Sequence, residues 1–237
     1  MPNTYFQFKQ FLINQERSGM KVTTDGCLFG AWVANKIAAS PPGWVLDIGA
    51  GTGLLSLMLA QVTESTEIEA LEMNKNAHTE ASNNFNQSLW SSRLKCTHSS
   101  LQEFASNKKY DLIICNPPFF KDNFKGQQVG KNQAIHSDHL PVEELINGVL
   151  KNINTTGNAY ILYPEYEMTQ FIIEAKKAGL FLNKLTLVRN KKEGQIFRMM
   201  GQFSSQESVV SKNEIIIRKR DQSYTDEFWN LLKEYYL

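Results

Sequence analysis

Hydrophobic and polar positions along the chain follow two periods, which predict strands and helices in alternation. Short apolar runs rich in β-branched residues predict strands at 44–48, 67–71, 94–97, 110–115 and 159–163. Segments with helical spacing lie between them and predict helices at 29–39, 54–60, 75–85, 142–150 and 165–178. This alternation is typical of a parallel sheet covered by helices on both faces.

The last third of the chain departs from that alternation. Two apolar runs, 180–188 and 196–203, follow each other without a helical pattern between them, and Glu193-Gly194 lies where they would turn. A further strand is predicted at 214–218 and a last helix at 224–236. We therefore predict the α/β fold class, a doubly wound and mostly parallel sheet with a late antiparallel strand at its edge.

Length and composition suit one globular domain. The 237 residues include 42% hydrophobic and 21% charged residues, with a net charge of +1. We expect a single domain over 1–237, with an N-terminal segment and helix at 1–40 and a core at 41–237. No secretory signal, membrane-spanning run or CxxC pair is present, so we expect a cytoplasmic protein without a metal ion. We also expect a monomer.

The first candidate site is a glycine-rich turn. Gly49, Gly51 and Gly53 follow a predicted strand and open a helix, where glycine lets the backbone approach a ligand closely. Asp47 precedes them and would repel the pyrophosphate of a dinucleotide. It could instead neutralise the ammonium of a zwitterionic amino acid, directly or through water. S-adenosylmethionine carries such an ammonium and a sulfonium cation, and is the predicted cofactor.

A second acid supports that interpretation. Glu72 ends the second predicted strand about twenty residues beyond the glycines, where an acid accepts hydrogen bonds from ribose hydroxyls. Alone, a glycine turn is equally compatible with a purely structural role. The combination of strand, acid, glycines, helix and second acid favours a cofactor site.

The fourth predicted strand ends in Asn116-Pro117-Pro118-Phe119. A planar amino group has two N–H donors, which Asn116 Oδ1 and the Pro117 carbonyl could accept. The prolines hold these acceptors in place, and Phe119 offers a face for stacking a flipped-out base, worth about 1–3 kcal/mol. The motif predicts methylation of an amino nitrogen, with Asn116, Pro117 and Phe119 as catalytic residues. The alternative is a Pro-Pro turn capped by Asn116, with Phe119 in the core.

Together these residues resemble the N-(D/N)-P-P-(Y/F/W) class of amino-methyltransferases. The wider pattern resembles one member family, the bacterial tRNA(Val) adenine-N6 methyltransferases, which modify the adenosine just 3′ of the anticodon. The resemblance implies a class I, Rossmann-like methyltransferase that acts on N6 of adenosine 37 in tRNA(Val). It covers nearly the whole chain, through residues 6–11, 20–26, 29–32, 49–53, 116–119, 134–136 and 233–237.

The resemblance also implies roles for individual residues. Residues 20–26 would pack beside the methionine end of the cofactor, with Lys21 and Thr24 among the binding residues, and Asn116 would also face the cofactor. From the residues alone, 24–26 is a helix start with Thr24 or Asp25 as its cap.

Two positions depart from the family pattern. Ile135 stands where an arginine is expected before His136, which puts one substrate contact of that loop in doubt. Phe120 and His136 are the residues of the loop that are predicted to bind the substrate. Ser100 stands where an acid often meets the cofactor adenine, and a hydroxyl binds there less strongly than a carboxylate.

Basic residues cluster late in the chain. Residues 184–220 hold nine basic and three acidic residues, a local excess of six charges in a chain of net charge +1. We predict that Lys191 and Lys192 contact the phosphate backbone of an RNA substrate, with further lysines at 121, 125 and 131. The alternative is a solvated hairpin edge protected by lysines.

Other functions fit less well. A protein methyltransferase acting on a glutamine amide would use the same Asn-Pro-Pro chemistry but usually carries a helical N-terminal domain, and only about 25 residues precede the cofactor fold here. A DNA adenine methyltransferase would need a recognition domain. A cofactor-binding adaptor without activity is disfavoured by the intact motif at 116–119.

Overall fold

The structure is a computed structural model that describes residues 3–118 and 140–237. A large mixed sheet forms its centre, and the predicted α/β fold class is confirmed. The eight strands of this sheet are β3 (Trp44–Ile48), β4 (Glu67–Glu72), β5 (Leu94–His98), β6 (Tyr110–Cys115), β7 (Ile153–Tyr163), β8 (Phe181–Arg189), β9 (Ile196–Ser204) and β10 (Ser211–Ile216). The helices are α1 (Thr24–Ile37), α2 (Leu54–Gln61), α3 (Lys75–Asn86), α4 (Val142–Asn152), α5 (Glu165–Lys177) and α6 (Asp226–Leu232).

The strands lie in the order β10-β8-β9-β7-β6-β3-β4-β5. Among the described strands of this sheet, only β9 runs antiparallel to its neighbours. We predicted the reversed strand at the edge, and that position is wrong. β10 pairs in parallel with β8 from Ser211↔Lys184 to Ile216↔Arg189, so β10 is the edge and β9 lies inside the sheet.

The central strands bury side chains on both faces, which explains their nearly continuous apolar sequence. Val45 and Leu112 belong to one hydrophobic cluster, shared with α1, α2 and α6. Leu46 and Ile113, the next residue of each strand, belong to a second cluster, shared with α4 and α5. Cys27 and Cys115 are core residues, each about 1% exposed, and burial raises the pKa of Cys27 to about 12.

Helix α1 begins earlier than its sequence pattern predicts. Thr23 is its cap, accepting the Gly26 N–H at 3.3 Å, so the expectation of Thr24 or Asp25 as cap is wrong. Glycines inside the first turns obscure the apolar period there. Gly30 lets α1 approach α2 closely, because a Cβ atom at this position would lie 2.6 Å from Met58 Sδ.

A two-stranded antiparallel hairpin at the N-terminus was not predicted. Its strands, β1 (Tyr5–Gln7) and β2 (Leu12–Asn14), have three residues each, too few to show a period. The hairpin packs against the end of the chain: the Lys9 N–H donates to Tyr235 O at 2.9 Å. The Phe6 and Tyr236 rings lie 6.2 Å apart.

The last helix is shorter than predicted. It is capped by Thr225 and ends at Leu232, because the residues that follow turn toward the hairpin instead. Across residues 3–118 and 140–237, no helix combines the length and apolarity that crossing a bilayer demands.

Gly157 tests the packing of β7 on β6. The register shifts there between Tyr110 and Leu112, and a Cβ atom at Gly157 would lie 2.9 Å from the backbone oxygen of Tyr110. Gly157→Ala is expected to lower the free energy of unfolding by about 1–3 kcal/mol, because backbone must move to relieve the contact. Gly19→Ala, whose Cβ meets nothing within 4 Å, is the control for thermal denaturation. Equal melting temperatures for the two variants would contradict the expectation.

Candidate active site

Three neighbouring parallel strands end together at one edge of the sheet. Ile48 of β3 lies beside Leu71 of β4 and beside Cys115 of β6. The residue after each of these three is a predicted site residue, namely Gly49, Glu72 and Asn116. The structure therefore brings together the glycine turn, the second acid and the Asn-Pro-Pro motif, as ligand sites of open α/β sheets require.

The three glycines have different surroundings. All have left-handed backbones, with φ of +74° at Gly49, +56° at Gly51 and +83° at Gly53. A Cβ at Gly49 would meet no atom within 4 Å, and one at Gly51 would meet only Ser18 Oγ, at 3.9 Å. At Gly53 it would lie 2.4 Å from Phe85 Cε1. The first two glycines therefore face space that a ligand could fill, whereas the third serves helix packing.

Asp47 lies fully buried beneath the glycine turn. Its Oδ2 accepts the Ser56 hydroxyl at 2.7 Å, while its Oδ1 has no hydrogen-bond partner among the described residues. Burial raises the pKa of Asp47 to about 6 against the opposing effect of Ser56, and the charge of Glu72 adds to the rise. A buried carboxylate of this kind is stabilised by a cation nearby.

Glu72 is fixed between the glycine turn and the start of α3. Its Oε2 accepts the Gly51 N–H and its Oε1 the Asn74 N–H, each at 2.8 Å. The residue is 8% exposed. Each carboxylate oxygen keeps a further lone pair, so the acid can still accept hydroxyl donors.

Asn116 directs its amide into the same edge. Its Oδ1 is buried and has no partner within 3–118 and 140–237. Its Nδ2 lies 3.9 Å from the position of a Cβ atom at Gly26, and thus faces the first turn of α1. Pro117 is buried and Pro118 is exposed. Phe119, Phe120, Ile135, His136 and the lysines at 121, 125 and 131 lie outside the described residues.

The segment 15–22 forms a closed loop beside the glycine turn. Gln15 closes it: its Oε1 accepts the Val22 N–H at 2.8 Å, and its backbone oxygen accepts the Lys21 ammonium. Lys21, predicted to bind the cofactor, thus holds the loop together. Thr24 is exposed at the first position of α1.

Two buried polar residues of α3 attach this N-terminal segment to the site. Glu80 accepts the N–H groups of Arg17 and Ser18 at 2.9 and 2.7 Å. Asn84 donates to Asn14 O at 3.0 Å and to Thr52 O of the glycine turn at 2.9 Å. Sequence reasoning missed both residues. The only signal was their spacing of four on one face of α3, which places them side by side.

Ser100 lies next to the second acid. The Ser99 N–H donates to Glu72 O at 3.2 Å, which sets this segment against the end of β4. The Ser100 hydroxyl donates to Glu103 Oε2 at 3.0 Å. Serine occupies position 100, where an acid is expected. The Glu103 carboxylate, three residues further along, nevertheless lies beside it at the same edge of the sheet.

The turn between β8 and β9 lies at this edge as well, because Met199 near the start of β9 pairs with Tyr163 at the end of β7. Lys191 and Lys192 are exposed in this turn, and neither forms an ion pair within the described part of the chain. Other basic residues of the cluster are paired with acids, in Arg189–Glu214, Arg198–Asp25, Lys219–Asp226 and Arg220–Glu193.

Comparison with known proteins identifies the family. The methyltransferase small domain model matches residues 31–137. The chain is 38% identical to the tRNA1(Val) (adenine(37)-N6)-methyltransferase of Christiangramia forsetii, over 100% of this chain and 99% of the relative. The protein of the same name from Cytophaga hutchinsonii is also 38% identical, with the same coverage. This chain belongs to the tRNA1(Val) (adenine(37)-N6)-methyltransferase family. The resemblance identified from its motifs is confirmed.

Solved structures agree on the fold of this family member. A predicted O-methyltransferase from Agrobacterium tumefaciens superposes with a TM-score of 0.68 at 16% identity, covering 89% of this chain and 96% of that one. Agreement at this level of identity concerns the architecture alone. It supports the doubly wound α/β architecture predicted from the alternating strands and helices.

Proposed function

We propose that this protein transfers a methyl group from S-adenosylmethionine to N6 of adenosine 37 in tRNA(Val). One observation carries the proposal: Asn116 Oδ1 is buried without a partner among the described residues, directly after Cys115, which pairs with Ile48. A buried acceptor without a donor is costly, and an amino group of a substrate would supply the donor. The names of the full-length relatives, at 38% identity, point to the same target.

The residues at the sheet edge fit the cofactor. Asp47, with its unpartnered Oδ1 and raised pKa, suits a ligand with positive charge. The open backbone at Gly49 and Gly51 leaves room for a chain that lies against it, and Glu72 can accept ribose hydroxyls. When bound, S-adenosylmethionine supplies a methyl group activated by a sulfonium.

Residues around this centre complete the proposed cofactor site. Ser100 with Glu103 would contact the adenine, because both lie just beyond Glu72. Gly53 sets the start of α2. Lys21 and Thr24 are proposed to act through the segment they shape beside the amino-acid end, since the Lys21 ammonium is bonded to Gln15.

Asn116 and Pro117 would orient the target nitrogen. Asn116 Oδ1 accepts one N–H and the Pro117 carbonyl the other, which turns the nitrogen lone pair out of conjugation. Both hydrogen bonds strengthen as the nitrogen becomes positive, so they lower the barrier rather than merely bind substrate. The proton then leaves to solvent. Phe119 is proposed to stack on the adenine, and Phe120 and His136 to contact the RNA.

The RNA would reach this edge across the β8–β9 turn. Lys191 and Lys192 are exposed there, and the segment after β10 runs beside it, since the Arg218 N–H donates to Asn190 O at 3.0 Å. Phosphate groups on the RNA would meet this basic rim while the target base enters beside Asn116.

The decisive test of the function uses labelled cofactor with total tRNA from a strain that lacks the gene. Nucleoside mass spectrometry is expected to find N6-methyladenosine, and mapping is expected to place it at position 37 of tRNA(Val). Label in glutamine side chains of protein, with none in RNA, would overturn the proposal in favour of amide methylation.

Asn116→Ala tests the catalytic role of the amide. We expect kcat to fall by about 100-fold or more, equivalent to about 2.7 kcal/mol or above, because a contact that strengthens in the transition state is lost. Cofactor affinity should stay nearly unchanged. Asn213→Ala, on the exposed edge strand β10, is the control. A well-folded Asn116→Ala protein with a wild-type single-turnover rate would refute the mechanism.

Asp47 predicts a pH dependence of cofactor affinity. Its pKa is raised to about 6, so below that pH the free protein holds a proton that a bound cation must displace. The Kd for S-adenosylmethionine should therefore rise as pH falls from 7.5 to 5, approaching about tenfold per pH unit. Calorimetry across this range measures the effect. Asp47→Asn should bind more weakly and lose this dependence; the same slope in both proteins would assign the titration to another group.

Lys191 and Lys192 test the RNA surface. Replacing both with Glu should raise the KM for tRNA and leave cofactor affinity unchanged. The slope of the logarithm of RNA affinity against the logarithm of salt concentration should fall by the equivalent of about two phosphate contacts. The matched control is the lysine pair Lys176 and Lys177, at the far end of α5 from the site edge. If both double variants lose the same affinity, the effect is one of net charge and the RNA docks elsewhere.

A further inference from the structure

One ion pair in the structure differs from the others in burial. Arg198 Nε lies 2.7 Å from Asp25 Oδ2, and the two side chains are only 13% and 9% exposed. In every other ion pair of the described residues, at least one side chain is more than one-third exposed. Burying two charges costs desolvation that their attraction roughly repays, so such a pair is weak evidence for stability alone.

The location of the pair points to the methyl-transfer site. Arg198 lies near the start of β9, one residue before Met199, which pairs with the last residue of β7. Asp25 lies in the first turn of α1. The pair therefore connects the first turn of α1 to β9, which is separated from β6 in the sheet by β7.

Gly26, the residue after Asp25, faces the proposed catalytic amide. A Cβ atom at this position would lie 3.9 Å from Asn116 Nδ2 and 3.4 Å from Leu54 Cδ2. The first turn of α1 thus fills the space between the end of β6 and the start of α2. A displacement of this turn would change the surroundings of the Asn116 amide nitrogen.

The side-chain hydrogen bonds to the Gly26 N–H in this turn are long. The Gly26 N–H is shared between Thr23 Oγ1 at 3.3 Å and Asp25 Oδ1 at 3.2 Å, both at the long end of the hydrogen-bond range. The ion pair to Arg198 is the short, charged contact that ties the turn to a distant element.

We propose that Asp25 and Arg198 are positioning residues for methyl transfer: their ion pair holds the first turn of α1 against Asn116 and so sets the direction of its carbonyl oxygen. The inference rests on the proposed function of Asn116. An amide side chain can rotate about its terminal bond, and a catalytic acceptor displaced by about 1 Å can cost on the order of 100-fold in rate.

The test compares two carboxylate-to-amide variants. Asp25→Asn removes the charge that holds Arg198, and Glu214→Gln breaks the other arginine pair of equal length, Arg189 Nε–Glu214 Oε1 at 2.7 Å. With cofactor and tRNA saturating, the single-turnover rate should fall by about tenfold or more in Asp25→Asn and by less than about twofold in Glu214→Gln. Dissociation constants for both ligands and the melting temperature are measured on the same preparations.

A double-mutant cycle separates positioning from a general structural effect. If the pair acts through Asn116, Asp25→Asn should lower the residual rate of Asn116→Ala by less than about twofold, since the group it positions is absent. Arg198→Lys keeps the charge and should retain more activity than Arg198→Gln. Because folded protein can be counted from bound cofactor, rates are expressed per folded molecule.

Several results would overturn the inference. One is an equal fall in the single-turnover rate of Asp25→Asn and Glu214→Gln. Another is that Asp25→Asn lowers the rate of Asn116→Ala by the same factor as it lowers the rate of the wild type. A fall in tRNA affinity at unchanged rate would make Arg198 an RNA contact instead. A wild-type protein that methylates no RNA would overturn the proposed function itself, whereas an active wild type with a fully active Asp25→Asn variant overturns only this inference.

Discussion

In the centre of the sheet, Ile48 pairs with Leu71 on one side and with Cys115 on the other. The site depends on this register. Because of this register, β3, β4 and β6 end at the same level of the sheet. The Gly49 turn, the Glu72 carboxylate and the Asn116 amide therefore lie side by side. A slip of one residue in either pairing would also turn every side chain of that strand to the opposite face. The hydrophobic clusters on both faces therefore hold the site in alignment through ordinary packing.

Much of this could be predicted from short stretches of sequence. The strand, glycine turn and helix at 44–61 and the strand with Asn116 at 110–116 are recognisable because their signals lie within a few residues. Contacts between distant positions were not predictable. Asp25 and Arg198 are 173 positions apart, and the sequence alone places Arg198 in the basic cluster of residues 184–220. The place of β9 inside the sheet likewise depends on β10 adding outside β8, which no local pattern encodes.

The site also carries a cost that the rest of the fold must offset. An aspartate normally titrates near 3.8, and burial raises the pKa of Asp47 to about 6. Since the folded protein binds this proton more tightly than the unfolded chain, stability is greater at low pH and is lost as the pH rises through about 6. A shift of about two units corresponds to about 3 kcal/mol at neutral pH. A cationic ligand bound beside the Asp47 carboxylate would offset this destabilisation.

The packing of the β1–β2 hairpin on residues 233–236 links the proposed cofactor site to contacts between distant parts of the sequence. Phe6, Phe8 and Lys9 contact residues 233–236, more than 220 positions further along the chain. Contacts between segments so far apart in sequence are costly to form, because a long stretch of chain must be closed first. The loop at 15–22 continues directly from that hairpin and borders the glycine turn. Opening of the contact at residues 233–236 would therefore loosen the hairpin and, through it, the wall of the proposed cofactor site, without any change at the glycine turn itself.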